Sequence, residues 1–208
     1  LLLSLSVALA VVIIVFVAFP DWVANSLRAV LPPGHAANVF INLLEGLLRV
    51  LLFVLYILAI SRMQSIRRVF EYHGAEHQVI HAFEQGEVVT PESVARYHTW
   101  HPRCGTSFVA VVVIVSIVAF SLLDVPVWYV RQAAKLALLP LVGGAAYEVI
   151  RLAGAGRLRF LVTPGLWLQR LTTRRPTIDQ VEVAIAALRG ALEQEGRTLK
   201  GVEKAGGD

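Results

Sequence analysis

Charge and sulfur are what this sequence has least of. Only 16% of its 208 residues are Asp, Glu, Lys or Arg, 56% are hydrophobic, and mean hydropathy is +0.65. Soluble globular domains carry about a quarter of their residues as charges, so that class is excluded. A single cysteine, Cys104, rules out an intramolecular disulfide framework. As a metal ligand it would have to stay reduced, which a cytoplasm-facing site allows. No Met opens the chain; Leu1 leads straight into an apolar run, and the expectation is a truncated start with any upstream targeting signal out of view.

Repeats, low-complexity tracts and Gly-rich phosphate loops are also missing. The net charge of +4 and pI of about 9.6 could suggest nucleic acid. The arginines argue otherwise, because they sit mainly at the ends of apolar runs rather than along one polar face, as orientation signals do in membrane proteins. The expected partner is therefore the lipid bilayer, not nucleic acid.

What the chain has in abundance is apolar sequence of membrane length. Leu1 to Phe19, Val39 to Ile60, Ser107 to about Leu123 and Ala133 to Leu152 are the four candidate spans. A cleaved signal peptide is the rival for the first, but it lacks a small-residue cleavage site and a basic start. Residues 20 to 38 read as a connector broken at Pro32-Pro33-Gly34. The second span carries Glu45 and Arg49 at i, i+4, read as a self-neutralised intramembrane pair, with a transport path as the weaker alternative. Trp128 and Tyr129 sit like interfacial aromatics, and Pro140 and Gly143-Gly144 interrupt the fourth span.

Arg62, Arg67 and Arg68 follow the second span and place residues 61 to 106 in the cytoplasm by the positive-inside rule. Arg157, Arg159, Arg170, Arg174 and Arg175 fall on the same side in this topology. The expected fold is all-α: a polytopic helical membrane protein of about four transmembrane helices with cytoplasmic helical segments. Its divisions are 1–60, two spans and a connector; 61–106, a cytoplasmic His/Cys segment; 107–153, two spans; and 154–208, an interfacial helix and an amphipathic helix. Within them, Glu84 to Glu87 reads as a helix stop and Thr90-Pro91-Glu92-Ser93 as a capped helix start. Pro164 to Leu171 reads as an interfacial helix, with Leu166, Trp167, Leu168 and Leu171 apolar and Gln169 and Arg170 polar. Thr177 to Gln180 is a capping box opening a helix whose Val181, Ala184, Ile185, Leu188 and Leu192 share a face. Beyond Gly196 the chain reads as loose.

Five of the six histidines and the one cysteine fall between residues 73 and 104. On a helix, His73, Glu76, His77, Ile80, His81 and Glu84 occupy an arc of roughly 140°. His73 and His77 stand one turn apart, the spacing at which two imidazoles can chelate one ion. The order His-x-x-Glu-His is the reversed zincin signature, in which the histidines bind zinc and Glu76 would be the general base. Zinc lowers the pKa of a bound water to about 7, within reach of a neighbouring carboxylate. His101-x-x-Cys104, beside Pro102 and Gly105, supplies a second His/Cys pair at chelate spacing. His98 reads as an ordinary polar residue, and His81, Glu84 and Arg103 as further polar candidates near the site.

Reversed zincins take a third ligand from a distal Glu, and Glu148 ends the fourth span on the same side. Two sites are open. His73, His77 and Glu148 could hold zinc with a free position for water, or His73, His77, His101 and Cys104 could close a structural site.

At these residues the sequence resembles the YqhQ-like family of bacterial inner-membrane proteins, a family of unknown function described as predicted metal-dependent enzymes. The resembling motifs are Tyr72-His-Gly-Ala-Glu-His77, His101-Pro-Arg-Cys-Gly-Thr-Ser-Phe108, Ala146-Tyr-Glu148, Pro164 to Thr173 and Glu182-Val-Ala184. The resemblance implies a multipass inner-membrane protein with a cytoplasmic metal-site candidate. The function expected is a zinc-dependent hydrolase at the cytoplasmic membrane face, with a peptide or membrane-protein substrate. The alternative is a non-catalytic assembly or docking factor held by structural zinc.

Overall fold

The computed structural model describes residues 2–102, 104–125, 127–154 and 159–196. Arg103, Pro126, Arg157 and the tail beyond Gly196 lie outside the described residues. Every regular element among the described residues is a helix.

The first helix does not stop before Pro20. It runs from α1 (Leu2–Ile13) through a π-helical turn (Ile14–Ala18) into α2 (Phe19–Val30). Proline lacks an N–H, and its ring collides with the carbonyl four residues back. Here the Phe19 N–H bonds Ile14 O, so the wider turn falls immediately before Pro20 and the helix continues past it. The expected connector begins only at Leu31, whose extended backbone (φ −83°, ψ 146°) suits the residue before Pro32.

α3 (His35–Ile60) starts earlier than the hydropathy suggested, and α7 (Trp128–Gly154) runs straight through Pro140. Three helices among the described residues are long and apolar enough to cross a bilayer: Leu2–Val30, His35–Ile60 and Trp128–Leu152. The expected third span is α6 (Gly105–Ser121), whose 17 residues reach about 26 Å against a hydrocarbon core of about 30 Å. Three of the four expected spans thus have membrane-crossing length among the described residues, and the remaining one, α6, is shorter. The apolar surface of the first helix, from Leu3 to Ile14, lies exposed, as lipid-facing residues do. This is the build of a membrane protein.

The chain divides into two compact units. Unit 1 comprises Leu1–Ile57 and Phe108–Leu161. Its helices enclose a charged network. The Glu45 carboxylate, buried, takes Arg49 Nη2 at 2.6 Å and Lys135 Nζ at 2.7 Å, both on Oε1. The i, i+4 pair expected from the sequence is thus one side of a triad, and Lys135 is the member that hydropathy passed over. Arg131, 2% exposed, pairs with Asp21 at 3.0 Å, and Asn42 donates to the carbonyls of Ser121 and Leu123. Charges at such positions hold only when paired.

Unit 2 comprises Leu58–Ser107 and Val162–Asp208 and carries the histidines. α4 (Gln64–Glu84) packs Ala75, Val79 and Ala82 against Val181, Ala184, Ile185 and Leu192 of α9 (Ile178–Gln194), with Val89 and Val94 completing the core. α4 ends where expected, at Gly86 with φ +70°, a left-handed position that favours glycine. α5 (Pro91–Val94) is capped reciprocally by Thr90 and Ser93. Gln180 accepts the Thr177 N–H at 2.9 Å and donates to Glu71 at 3.0 Å, joining α9 to α4.

α8 (Thr163–Thr172) forms over the expected Pro164–Leu171 stretch. Its buried face is Gly165, Gln169 and Thr172, while Trp167 is 59% exposed. A polar face turned inward needs partners there, and the turn at His101 provides them.

Candidate metal centre

The pattern on α4 comes from its period. His73, His77 and His81 lie on one stripe, facing the loop that returns beside the helix at residues 97–102. His77 Nδ1 donates to Thr99 O at 2.6 Å, His81 Nε2 donates to Trp100 O at 2.9 Å, and Gln78 Nε2 donates to Tyr97 O at 2.7 Å. From the other side His73 Nδ1 donates to Thr172 O at 3.0 Å.

These bonds assign tautomers. A backbone carbonyl can only accept, so the nitrogen beside it carries the proton. In the neutral rings of His73 and His77 that nitrogen is Nδ1, so Nε2 is the nitrogen whose lone pair a metal would take once it gives up its proton. Metal-binding histidines have this arrangement, with the far N–H fixed by a carbonyl or carboxylate. His81 is bonded through Nε2 instead and stacks on Tyr97. It shares the stripe without sharing the site.

The third member is Cys104. Its Sγ lies 3.4 Å from His73 Nε2 and 3.1 Å from Thr106 Oγ1. Ligand atoms of His73, His77 and Cys104 all lie within 4.8 Å of one another. Zinc bonds of about 2.0–2.3 Å place tetrahedral ligands about 3.5 Å apart, so closure by an ångström or so forms a His2Cys set. The donor set of His73, His77 and Cys104 fits a zinc ion, which these three residues would hold.

Electrostatics favours the same trio. Burial would push the Cys104 thiol up, but hydrogen bonding from His73, His77 and Thr106 outweighs it and brings the pKa down to about 5. The His73 pKa is raised, first by that bond to Cys104, against burial and with help from Thr172 O and the Glu76 charge. His101 goes the other way, lowered mainly by burial and by its neighbours His81 and His77, with Glu84 opposing.

The other expected residues are placed as follows. His101 is buried, with Nε2 3.2 Å from Glu84 Oε2 and its ring 6.1 Å from that of His77, so it stands beside the trio facing Glu84. Glu76 is exposed on α4 and outside the ligand group. Glu148 belongs to unit 1, where Oε2 lies 2.7 Å from Arg151 Nη2 on the same helix; this is the salt-bridge arrangement. His98 stacks on Trp100 and is not one of the ligand group. Arg103 lies outside the described residues.

Residues 1–194 match the family described as "Protein of unknown function (DUF1385)". The chain belongs to that family. It is 37% identical over 185 residues to "Uncharacterized protein YqhQ" of Bacillus subtilis (strain 168), covering 87% of this chain and 57% of that protein. The chain thus spans little more than half the length of this relative. No solved structure matches it. The YqhQ-like resemblance read from the motifs is thereby borne out, and the DUF1385 match extends it over the helices that the motifs did not cover.

Sequence reasoning missed the residue that holds the Cys104 turn. Gln169, wholly buried, accepts the His101 N–H at 2.7 Å and donates to His101 O at 2.9 Å and Ser107 Oγ at 2.7 Å. Gly165 makes room for this, since a Cβ there would sit 2.6 Å from Ser107 Cα. Gly74 does the same on α4. A Cβ would fall 2.1 Å from Arg174 O, at the point where Arg174 N donates to Phe70 O. The one available signal was the glycine four residues before Gln169, which marks a close crossing on that face.

Proposed function

We propose that this DUF1385 protein is a zinc-dependent hydrolase of the bacterial inner membrane, with peptide or membrane-protein substrates and its centre at the cytoplasmic face. The observation that carries this is the pair of Nδ1–carbonyl bonds, which turn the Nε2 atoms of His73 and His77 toward the Cys104 sulfur. Zinc bound there would supply a Lewis acid able to activate water near neutral pH. Thr172 O and Thr99 O orient the imidazoles, and Thr106 donates to the sulfur. Glu76, one residue before His77 and open to solvent, is the proton acceptor. The cytoplasmic placement rests on Arg62, Arg67 and Arg68 after α3.

A second reading has its own observation. The trio joins α4 to the Cys104 turn, with one carbonyl from the loop before that turn and one from α8, as a structural clamp would. Elemental analysis of the purified chain separates these. We expect about one zinc per chain, lost in His77→Ala. Glu76→Gln should keep the metal and lose peptide hydrolysis. Full cellular function in Glu76→Gln, with unfolding of Cys104→Ser, would leave the clamp; absence of metal from the wild type would overturn both.

A further inference from the structure

Unit 2 contains a cavity of about 450 Å³ that the metal centre does not use. Leu58, Ser61, Arg67 and Glu71 line it on one side, with Arg170, Leu171 and Thr173 to Arg175 on the other. Four guanidinium groups therefore meet one carboxylate. Glu71 is already engaged, by Arg67 Nε at 3.1 Å and Gln180 Nε2 at 3.0 Å. The Gln180 bond first, and Arg67 with it, hold its pKa below the usual range against burial, so it stays ionised and cancels Arg67.

Arg170, Arg174 and Arg175 form no ion pair among the described residues. Arg174 Nε is buried with no acceptor, and its Nη2 reaches Ser61 O only at 3.4 Å. An orphaned buried guanidinium N–H costs free energy unless a ligand satisfies it. The hydroxyls on the wall are spent: Ser61 donates to Leu58 O, and Thr173 donates to Gln169 O. What the cavity offers is a set of planar, bidentate donors for a tetrahedral anion. Its volume lies in the small-molecule range of about 300–1,000 Å³, larger than a bare ion requires.

We infer that this cavity binds a phosphate group. The apolar walls are Leu58 and Leu171, and Leu58 lies in the last turn of α3, a helix of membrane-crossing length. The end of such a helix lies where hydrocarbon gives way to headgroups. An anionic phospholipid or a soluble phosphate ester could bring the phosphate. The inference stands apart from the metal reading.

The test uses the detergent-purified, delipidated full chain. Apparent Tm is followed with inorganic phosphate, dihexanoylphosphatidic acid and, as a control with acyl chains and no phosphate, dihexanoylglycerol. At about a hundredfold excess over Kd the phosphatidic acid should raise Tm by about 5 °C. Arg170→Gln with Arg175→Gln, both exposed, should weaken it at least about tenfold and leave metal content unchanged. A shift with phosphatidic acid alone assigns a membrane lipid as the source, and an equal shift with inorganic phosphate assigns a soluble one. An equal shift with dihexanoylglycerol, no shift with either phosphate probe, or an undiminished response in the double variant would overturn the site.

Discussion

His73 Nε2 lies 3.4 Å from Cys104 Sγ, and the same ring's Nδ1 lies 3.0 Å from the carbonyl of Thr172. One imidazole is thus fixed by its outer nitrogen and presents its inner one to a thiol drawn down to about 5. Without metal, the proton shared by the pair sits on His73, because its pKa is raised while that of Cys104 is lowered.

Zinc affinity should carry that signature. Binding needs a thiolate and neutral imidazoles. Above pH of about 5 the thiolate already exists, so the proton that His73 gives up comes from its imidazolium. Affinity should rise with pH through the raised His73 pKa and then level. Below about 5, protonation of Cys104 adds a second displaced proton and the fall steepens. Competition against a chromophoric chelator across pH reads both slopes. A single break near 9, the ordinary thiol range, would refute the pairing of His73 with Cys104.

Gln169→Ala should loosen the metal centre without touching a ligand. The change takes the Gln169 oxygen from the buried His101 N–H and one of the donors from the His101 carbonyl, which keeps the Cys104 N–H, costing about 1–3 kcal/mol in stability. It should also weaken zinc by about 10–100-fold, as lost support behind a ligand does. Equilibrium dialysis with zinc, alongside thermal unfolding, measures both. Unchanged zinc affinity would show that the Cys104 turn holds itself.

Gln169 also marks where the sequence could be read and where it could not. The α9 stripe and the Thr90 cap were legible because each is local: period and spacing decide them. His73 and His77 were legible for the same reason. Which residues complete the site depends on contacts between segments far apart in the chain. Periodicity carries no information about those, so Glu148, His101 and Cys104 looked alike as partners. Gln169 reads as the polar side of an interfacial helix, and Lys135, inside an apolar run, draws no reading at all. Both are buried because partners distant in sequence, His101 and Glu45, meet them.

Gly74→Ala and Gly190→Ala should move stability in opposite directions. At Gly74 the new methyl would meet Arg174 O at 2.1 Å, a backbone atom that cannot turn aside. The segment from Thr172 to Arg174 has to retreat, costing about 3 kcal/mol and loosening the bond to His73. At Gly190, inside α9, nothing lies within 4 Å, so alanine should add about 0.5–1 kcal/mol through helix propensity. Apparent Tm of the two variants in one detergent gives the comparison. A tolerated Gly74→Ala with unchanged zinc binding would contradict the close approach.

Glu45→Leu should be among the most damaging single changes in unit 1. It leaves Arg49 and Lys135 without their carboxylate, and breaking a buried pair by removing one partner costs about 3–5 kcal/mol. The pairing itself is not optimal, since Glu45 Oε2 has no partner of its own. Removing all three charges, as Glu45→Leu, Arg49→Leu and Lys135→Met together, should therefore recover most of the loss, because apolar replacements need no compensation there. Apparent Tm of the single and triple variants tests this, with metal content constant throughout. If the triple variant folds and keeps zinc yet fails to complement a deletion strain, the charges serve function rather than architecture, and the transport reading of Glu45 and Arg49 gains its first support.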